Sequence, residues 1–559
     1  MKIDFLPHFI LTLILLSCSG RKNQIQFESD LKSLDLNRGD IALCGSANGQ
    51  FGTVAFSLSC SEIVRANFNL ATALLHSFEY AEAEKVFAKV IDEDPQCAMA
   101  YWGAAMCNFH PLWEIPSQTD LQKGARIIAL GRSLVEDKTS RESDYLEAIA
   151  TIFDRWDELD HLMRLQKFER ATEKIHIKYP NDNEAAVFYA LALRAAADPA
   201  DKSFQKQKKA GEILNAVLKK EPNHPGISHY IIHTYDYPEL AELALPAARK
   251  YALIASTSAH AQHMPSHIFT RLGLWDESIQ SNINSISAAQ CYAQSLGIKG
   301  HWSEELHGLD YLVYAYLQKG DDGNAKMQMD YFNTVNEVYP HDFKDAYSFA
   351  SLPARYALER KSWIEAARLE LKPNFPWEKF PWEKANVTFA RLLGAVHSNR
   401  LPQARNELQE LQLSHKKLQD AKENYKANLL LIQVKISEGW IKLYEGHKAD
   451  ALALMNDAAS MEDATEKHPV TPGEVIPARE LLGDMYMETG EPAKAFEAYQ
   501  VDLKRHPNRF NGLYGAGLAA EKSGRIKEAI FYYNQLLTVA SASGRPELKS
   551  VKFFLKSNV

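Results

Sequence analysis

Four histidines carry the clearest hint of chemistry in this 559-residue sequence. His229 and His233 form one pair, and His263 and His267 repeat it 34 residues later. Residues four apart share one face of an α-helix, so each pair offers two imidazoles side by side. Packed helices stand about 8–10 Å apart, close enough for imidazoles on neighbouring helices to reach one point. Such a group suits a divalent transition metal, whose Zn–N bonds of about 2.0–2.1 Å need three or four donors around one centre. It equally suits an anionic ligand, with the imidazoles and Arg271 as donors. The third reading is structural, with the rings hydrogen-bonded to Tyr230, Tyr235, Tyr314 and backbone.

The elements that must position these residues follow from the same period. Gly483, Ala495 and Tyr499 recur as Gly517, Ala529 and Tyr533, each 34 residues on, and Pro507 closes the first of these units. Near the N-terminus Leu70, Ala83, Phe87 and Pro95 fall at the corresponding spacings. A small residue lets two helices cross closely, an aromatic fills the gap between units, and proline ends a helix. A repeat of this length with these residues resembles the tetratricopeptide repeat, a helix–turn–helix unit that stacks into a right-handed solenoid. Weaker units end or turn at Ala210 with Pro222, Gly273 with Ser278, Gly320 with Ala325, Lys361 with Ala366, and Gly446 with Ala451. Roughly ten units are expected between about Ser61 and Ala540. Asp198–Gln207 and Phe375–Lys384 read as inserted loops, the latter interrupted by Pro376 and Pro381. No stretch alternates β-branched and polar residues as a strand would. The fold class is all-α.

In tetratricopeptide units the second, fifth, ninth and twelfth positions of the first helix face the concave groove. By that resemblance His229, His233 and Asp236 share a section of groove with His260, His263, His267 and Thr270, and with His307, Asp310 and Tyr314. These groove positions hold six of the chain's 19 histidines. The groove candidates are therefore His229, His233, His260, His263, His267, Arg271, His307 and Asp310, and the metal candidates are His229, His233, His263 and His267. Pro265 would break a helix unless it sits in the first turn, which places His260 and His263 in a loop before it.

The N-terminus speaks to location. Phe5–Leu16 is an apolar run after Lys2, too short for the ~20 residues that span a bilayer and suited to a signal-peptide core. Leu15-Leu16-Ser17-Cys18 resembles the bacterial lipobox, in whose family the cysteine is acylated and becomes the mature N-terminus. On that reading residues 1–17 are a signal peptide, 18–40 a lipid-anchored tether, 41–60 a lead-in, 61–540 the solenoid and 541–559 a tail. The protein would face the periplasm from a membrane, or be secreted if the cysteine is incidental. Five cysteines remain, without a CxxC pair. Cys60 and Cys97 would lie near the starts of adjacent first helices, where a bridge is feasible, but buried thiols are the expected state.

Lys and Arg number 63 against 71 Asp and Glu, a net charge of −8. No basic stripe stands out, so nucleic acid is not an expected partner, and membrane contact would come through the lipid alone. Several segments resemble a set of uncharacterised bacterial tetratricopeptide proteins: Ala73–Tyr80 (ALLHSFEY), Cys97–Gly103 (CAMAYWG), His110–Trp113 (HPLW), His224–His233 (HPGISHYIIH), His263–Leu272 (HMPSHIFTRL), Leu306–Leu312 (LHGLDYL) and Glu462–Gly473 (EDATEKHPVTPG). In several such chains a histidine stands where this one has Ala55. The resemblance implies the fold and no activity. No GxSxG, P-loop, GxGxxG or HExxH motif occurs. His468 with Glu466 or Glu474 offers an acid/base pair, although the Pro-rich run His468–Glu474 reads first as a rigid connector. The expected function is an exported, lipid-anchored scaffold that binds a protein or peptide in its groove, with no cofactor and no catalysis. The alternative is a metal-binding protein, or a metal-dependent hydrolase, that uses the histidines with a divalent metal.

Overall fold

The computed structural model describes residues 26–42, 44, 51–112, 115–135, 140–199 and 201–558. Cys18 and the apolar run before it lie outside the described residues, as does Trp113 of the HPLW segment. Almost all regular structure is α-helix, arranged as consecutive helix pairs. The chain divides into two compact units. One comprises Met1–Ile41, Phe51–Ala197 and Phe204–Ile227, the other Ala42–Gln50, Asp198–Ser203 and Ser228–Val559.

The first unit holds four helix pairs: Arg65–His76 with Tyr80–Glu93, Ala98–Met106 with Gln118–Leu134, Arg141–Phe153 with His161–Lys178, and Asn183–Ala195 with Gln205–Leu218. Their starts are written locally. The side chains of Ser117, Ser140, Asp160 and Asp182 each accept a backbone N–H of the helix that follows, satisfying donors that the first turn leaves open. The core is aromatic, with Phe56 5.4 Å from both Phe68 and Trp102, and Trp102 5.1 Å from Phe188. Cys60 and Cys97 are joined as a disulfide. Residues 26–33 are helical, and Leu34 and Leu36 are buried. This part of the segment expected as a tether thus carries a helix and two leucines that cover core.

The second unit continues the pairing from the helix Pro225–Tyr235, on which the division falls, to Ile526–Val539. Gly483 and Gly517 show why the period carries glycine: an added Cβ would come within 2.7 Å of the Tyr499 ring and 2.4 Å of the Tyr533 ring. Each tyrosine lies directly on its glycine, one repeat apart. The helix Glu547–Asn558 packs Val551 and Phe554 onto the last pair, beside Tyr533, so the expected tail is a terminal cap for the stack. Pro381 occupies the first turn of Pro381–His397, so the segment expected as a loop through Lys384 is already helical there. A two-residue parallel pairing of His301–Trp302 with Val338–Tyr339 is the strand structure among the described residues. Cys44 is bonded to Cys291, and Cys107 stays a buried thiol. The expectation of buried thiols throughout thus holds for Cys107 alone.

Candidate metal centre

Six histidines of the second unit, His229, His233, His260, His263, His267 and His307, meet in one continuous cluster. His229 and His233 stand a turn apart on Pro225–Tyr235. His260 and His263 lie on Ala259–His263, a short helix begun by Ser258, whose hydroxyl accepts the Ala261 N–H at 3.0 Å. The chain then passes through Met264, itself in helical conformation, into Pro265–Leu272. Pro265 takes the first helical position, where its missing N–H breaks no bond. His260 and His263 are consequently helical, and the expected loop is not formed. His307 comes from Ser303–Gln318.

The rings assemble as two groups of three. In the first, His229 Nε2 lies 3.0 Å from His233 Nε2 and 3.1 Å from His260 Nε2. In the second, His263 Nε2 lies 3.1 Å from His267 Nε2, and the His307 ring centre is 4.1 Å from that of His263. Within each group one nitrogen from every ring falls within 4.8 Å of the others. The groups adjoin, with His233 and His267 ring centres 6.4 Å apart.

The hydrogen-bond network assigns the second group's tautomers. Asn282 donates Nδ2 to the Ser278 carbonyl at 2.7 Å, so its Oδ1 is the atom that faces His263 Nδ1 at 2.8 Å. His263 therefore carries its hydrogen on Nδ1. His267 Nδ1 lies 3.1 Å from Asp236 Oδ2, a carboxylate that only accepts, so His267 also carries its hydrogen on Nδ1. A neutral imidazole has one N–H. The two Nε2 atoms then face each other as lone pairs at 3.1 Å, with the Tyr311 hydroxyl 3.5 Å from that of His267, an arrangement that suits a cation between them. Nitrogens bound to one ion at about 2.0–2.1 Å stand about 3.0–3.4 Å apart. Placing Nδ1–H on a carboxylate or carbonyl is also how metal-bound imidazoles are oriented.

Burial keeps His260, His263, His267 and His307 neutral. It pushes His260, His263 and His307 well below the usual histidine range, with the neighbouring imidazoles adding to the effect. It also lowers His267, against the pull of Asp236. Neutral imidazole is the form that binds a metal. Around the cluster, Tyr251 stacks on His229 at 5.0 Å and the Tyr311 ring lies 4.6 Å from His263. Asp236 is the hub of the outer layer, accepting from Arg271 Nε at 2.8 Å and pairing with Lys467 at 3.3 Å. Burial would raise its pKa, but Lys467, Arg271 and the His267 N–H outweigh that and hold the carboxyl well below its ordinary range.

Several expected site residues are placed elsewhere. Five of the six histidines are buried rather than lining an open groove. Arg271 is committed to Asp236 and is no free anion donor. Asp310 is salt-bridged to the buried Arg355 and bonded to Ser351. Tyr314 accepts from Arg509 and is not a partner of the cluster. His468 stacks on Phe343 at 4.5 Å, while Glu474 pairs with His506 and Glu466 with Lys202. The His468–glutamate acid/base pair is therefore not formed.

A third group of the same residue types, in the first unit, is bonded differently. His224 Nε2 lies 2.9 Å from Glu184 Oε1, and His76 Nε2 lies 3.0 Å from Glu184 Oε2. The Ile227 N–H points at His224 Nδ1 from 3.3 Å, so Nδ1 accepts and Nε2–H donates to the carboxylate. Every lone pair facing inward meets a hydrogen, and the group is a satisfied structural network. The sequence reading missed it, although His76 and His224 stand in two of the quoted segments. It also missed Asn282, Tyr251 and Lys467.

A family profile for the tetratricopeptide repeat matches residues 68–110 and 482–546. The protein is an all-α tetratricopeptide-repeat solenoid. Human IFIT1 solved with PPP-AAAA is 11% identical, with 87% of this chain and 96% of that chain covered and a TM-score of 0.32. A monomeric IFIT1 mutant with m7Gppp-AAAA is 11% identical, with 92% and 100% covered and a TM-score of 0.31. No curated protein matches the sequence. The expectation that nucleic acid is excluded is withdrawn; the solved structures just named hold PPP-AAAA and m7Gppp-AAAA. Net charge, on which that exclusion stood, describes the whole chain and not a local surface.

Proposed function

We propose that this protein is a tetratricopeptide-repeat scaffold built around a buried, all-imidazole transition-metal centre. His263, His267 and His307 would form one site and His229, His233 and His260 the adjoining one. The observation that carries the reading is the pair of Nε2 lone pairs facing each other at 3.1 Å, with both Nδ1–H groups committed outward. Neutral nitrogen donors without thiolate or directly ligating carboxylate suit zinc, copper or nickel over magnesium or calcium. The outer surfaces of the repeats remain available for a protein or peptide partner, as the repeat class supports. The lipobox-like Leu15–Cys18 supports an exported, lipid-anchored form, and the two disulfides fit an oxidising compartment.

Elemental analysis of the purified full chain, after reconstitution with zinc or copper(II) and dialysis, tests the metal reading. One or two ions per chain are expected, with loss on His267→Ala. A wild-type chain that retains no metal refutes it.

A further inference from the structure

The run Lys467–Ile476, with its His-Pro-Val-Thr-Pro-Gly-Glu core, does more than connect two repeats. With the helices Pro381–His397 and Asn424–Tyr444 it walls a cavity in the second unit. The cavity volume is about 40 Å³. Tyr347, Trp382, Phe389 and Ile432 supply apolar walls.

Two amides stand on that lining. Gln433 donates Nε2 to Asn386 Oδ1 at 2.9 Å, which leaves Asn386 Nδ2 and Gln433 Oε1 buried with no protein partner. Asn386 is 1% exposed. Turning both amides over exchanges the atoms without changing the result, since one bond between two carboxamides always leaves one N–H donor beside one carbonyl acceptor. Trp382 Nε1, another wall residue's donor, is likewise buried without an acceptor. Buried polar atoms are almost always paired, so three such atoms in the residues of one small cavity mark a place for a ligand.

The ligand's charge follows from the neighbours. Lys467 is paired with Asp236, Lys426 with Glu383 and Glu474 with His506. Burial holds Glu462 well above the usual carboxylate range, which keeps it neutral. The cavity offers polar edges and aromatic faces but no uncommitted charge.

We infer that this cavity binds a small planar carboxamide, its carbonyl accepting from Asn386 and its N–H donating to Gln433. The volume admits a head of a few heavy atoms, either a free small amide or the side chain of a glutamine on a partner peptide. The inference stands independently of the metal reading. The two sites are nonetheless linked, because Lys467 lines the cavity and binds the carboxylate that orients His267.

Saturation-transfer NMR on the full chain, with acetamide as the probe, tests it with and without zinc. Acetamide is expected to bind, and acetate and N,N-dimethylacetamide to bind about tenfold more weakly, each lacking one half of the pairing. Gln433→Met, at a half-buried position where folding is readily checked by melting, should weaken acetamide about tenfold, and Asn386→Leu likewise. Competition by the tripeptide Gly-Gln-Gly assigns the amide to a peptide side chain, and its failure to compete assigns a free small amide; both sustain the carboxamide site. No transfer from acetamide, or equal transfer from N,N-dimethylacetamide, overturns the inference whatever the metal content. Absence of bound metal with acetamide binding intact overturns only the metal reading.

Discussion

Asn282 touches no proposed metal position, yet it decides which nitrogen of His263 is available. Its Oδ1 holds the His263 Nδ1 hydrogen at 2.8 Å and its Nδ2 is anchored on the Ser278 carbonyl at 2.7 Å. Asn282→Ala removes that acceptor and frees the hydrogen to move to Nε2, where an incoming ion must displace it. Outer partners of ligating imidazoles are worth about 10–100-fold in metal affinity, or about 1.4–2.7 kcal/mol. His263→Ala removes the donor itself and should exceed that loss. Independently of metal, Asn282→Ala forfeits two buried hydrogen bonds, about 1 kcal/mol each, which a urea melt in excess chelator will read. Competition with a chromophoric chelator reads the affinity. The two measurements separate the roles: a purely structural asparagine lowers the melt and leaves the affinity alone. An Asn282→Ala affinity within about twofold of wild type would refute the tautomer argument.

Three further outcomes follow from the same chemistry. His260, His263, His267 and His307 are all held below the ordinary histidine value in the fold, so the unfolded chain takes up protons first as pH falls through about 6.5. Stability should be full above that pH and fall below it by up to about 1.4 kcal/mol per pH unit per imidazole, and zinc should move the transition to lower pH; melts unchanged between pH 7.5 and 5 would contradict this. His506 has the opposite sign: burial opposes its charge, but Asp502 and Glu474 raise it to about 10, so its contribution is complete below about 6.5 and lost as pH rises toward 10. His506→Gln should flatten that alkaline decline, and an unchanged slope in the variant would count against the ion pairs. At the N-terminus, metabolic labelling with a fatty acid should mark the wild-type chain and not Cys18→Ala; an unlabelled wild type ends the lipoprotein reading.

How much of the centre was legible depends on what the repeat controls. A 34-residue offset fixes backbone placement, so His229, His233, His263 and His267 could be paired from spacing alone, and Gly483 with Tyr499 could be read as a helix contact. Spacing does not fix which nitrogen carries the hydrogen. That depends on Asn282, which reaches His263 from the other helix of the pair, and on Asp236, whose Lys467 partner arrives from 231 residues away. Pro265 misled because its effect depends on position: it starts a helix at the first turn and breaks one elsewhere. Cys60 and Cys97, at the starts of adjacent helices, could be read as a feasible bridge, whereas Cys44 and Cys291 lie 247 residues apart and no local pattern joins them.

The comparison of His224 with His263 shows why residue type alone would have failed. Both are buried imidazoles beside other ligand-type side chains. At His224 a backbone N–H meets Nδ1 and turns Nε2 into a donor for Glu184. At His263 an amide oxygen meets Nδ1 and leaves Nε2 as a lone pair facing another lone pair. One hydrogen on the far side of the ring thus separates a closed structural network from an open coordination site. On this argument Asp236→Asn should weaken metal at His267 as Asn282→Ala does at His263. It should also cost more stability, because it leaves Arg271 and Lys467 buried with less negative charge to answer them. A variant whose melt falls while metal affinity stays at the wild-type value would show that Asp236 serves the cations alone.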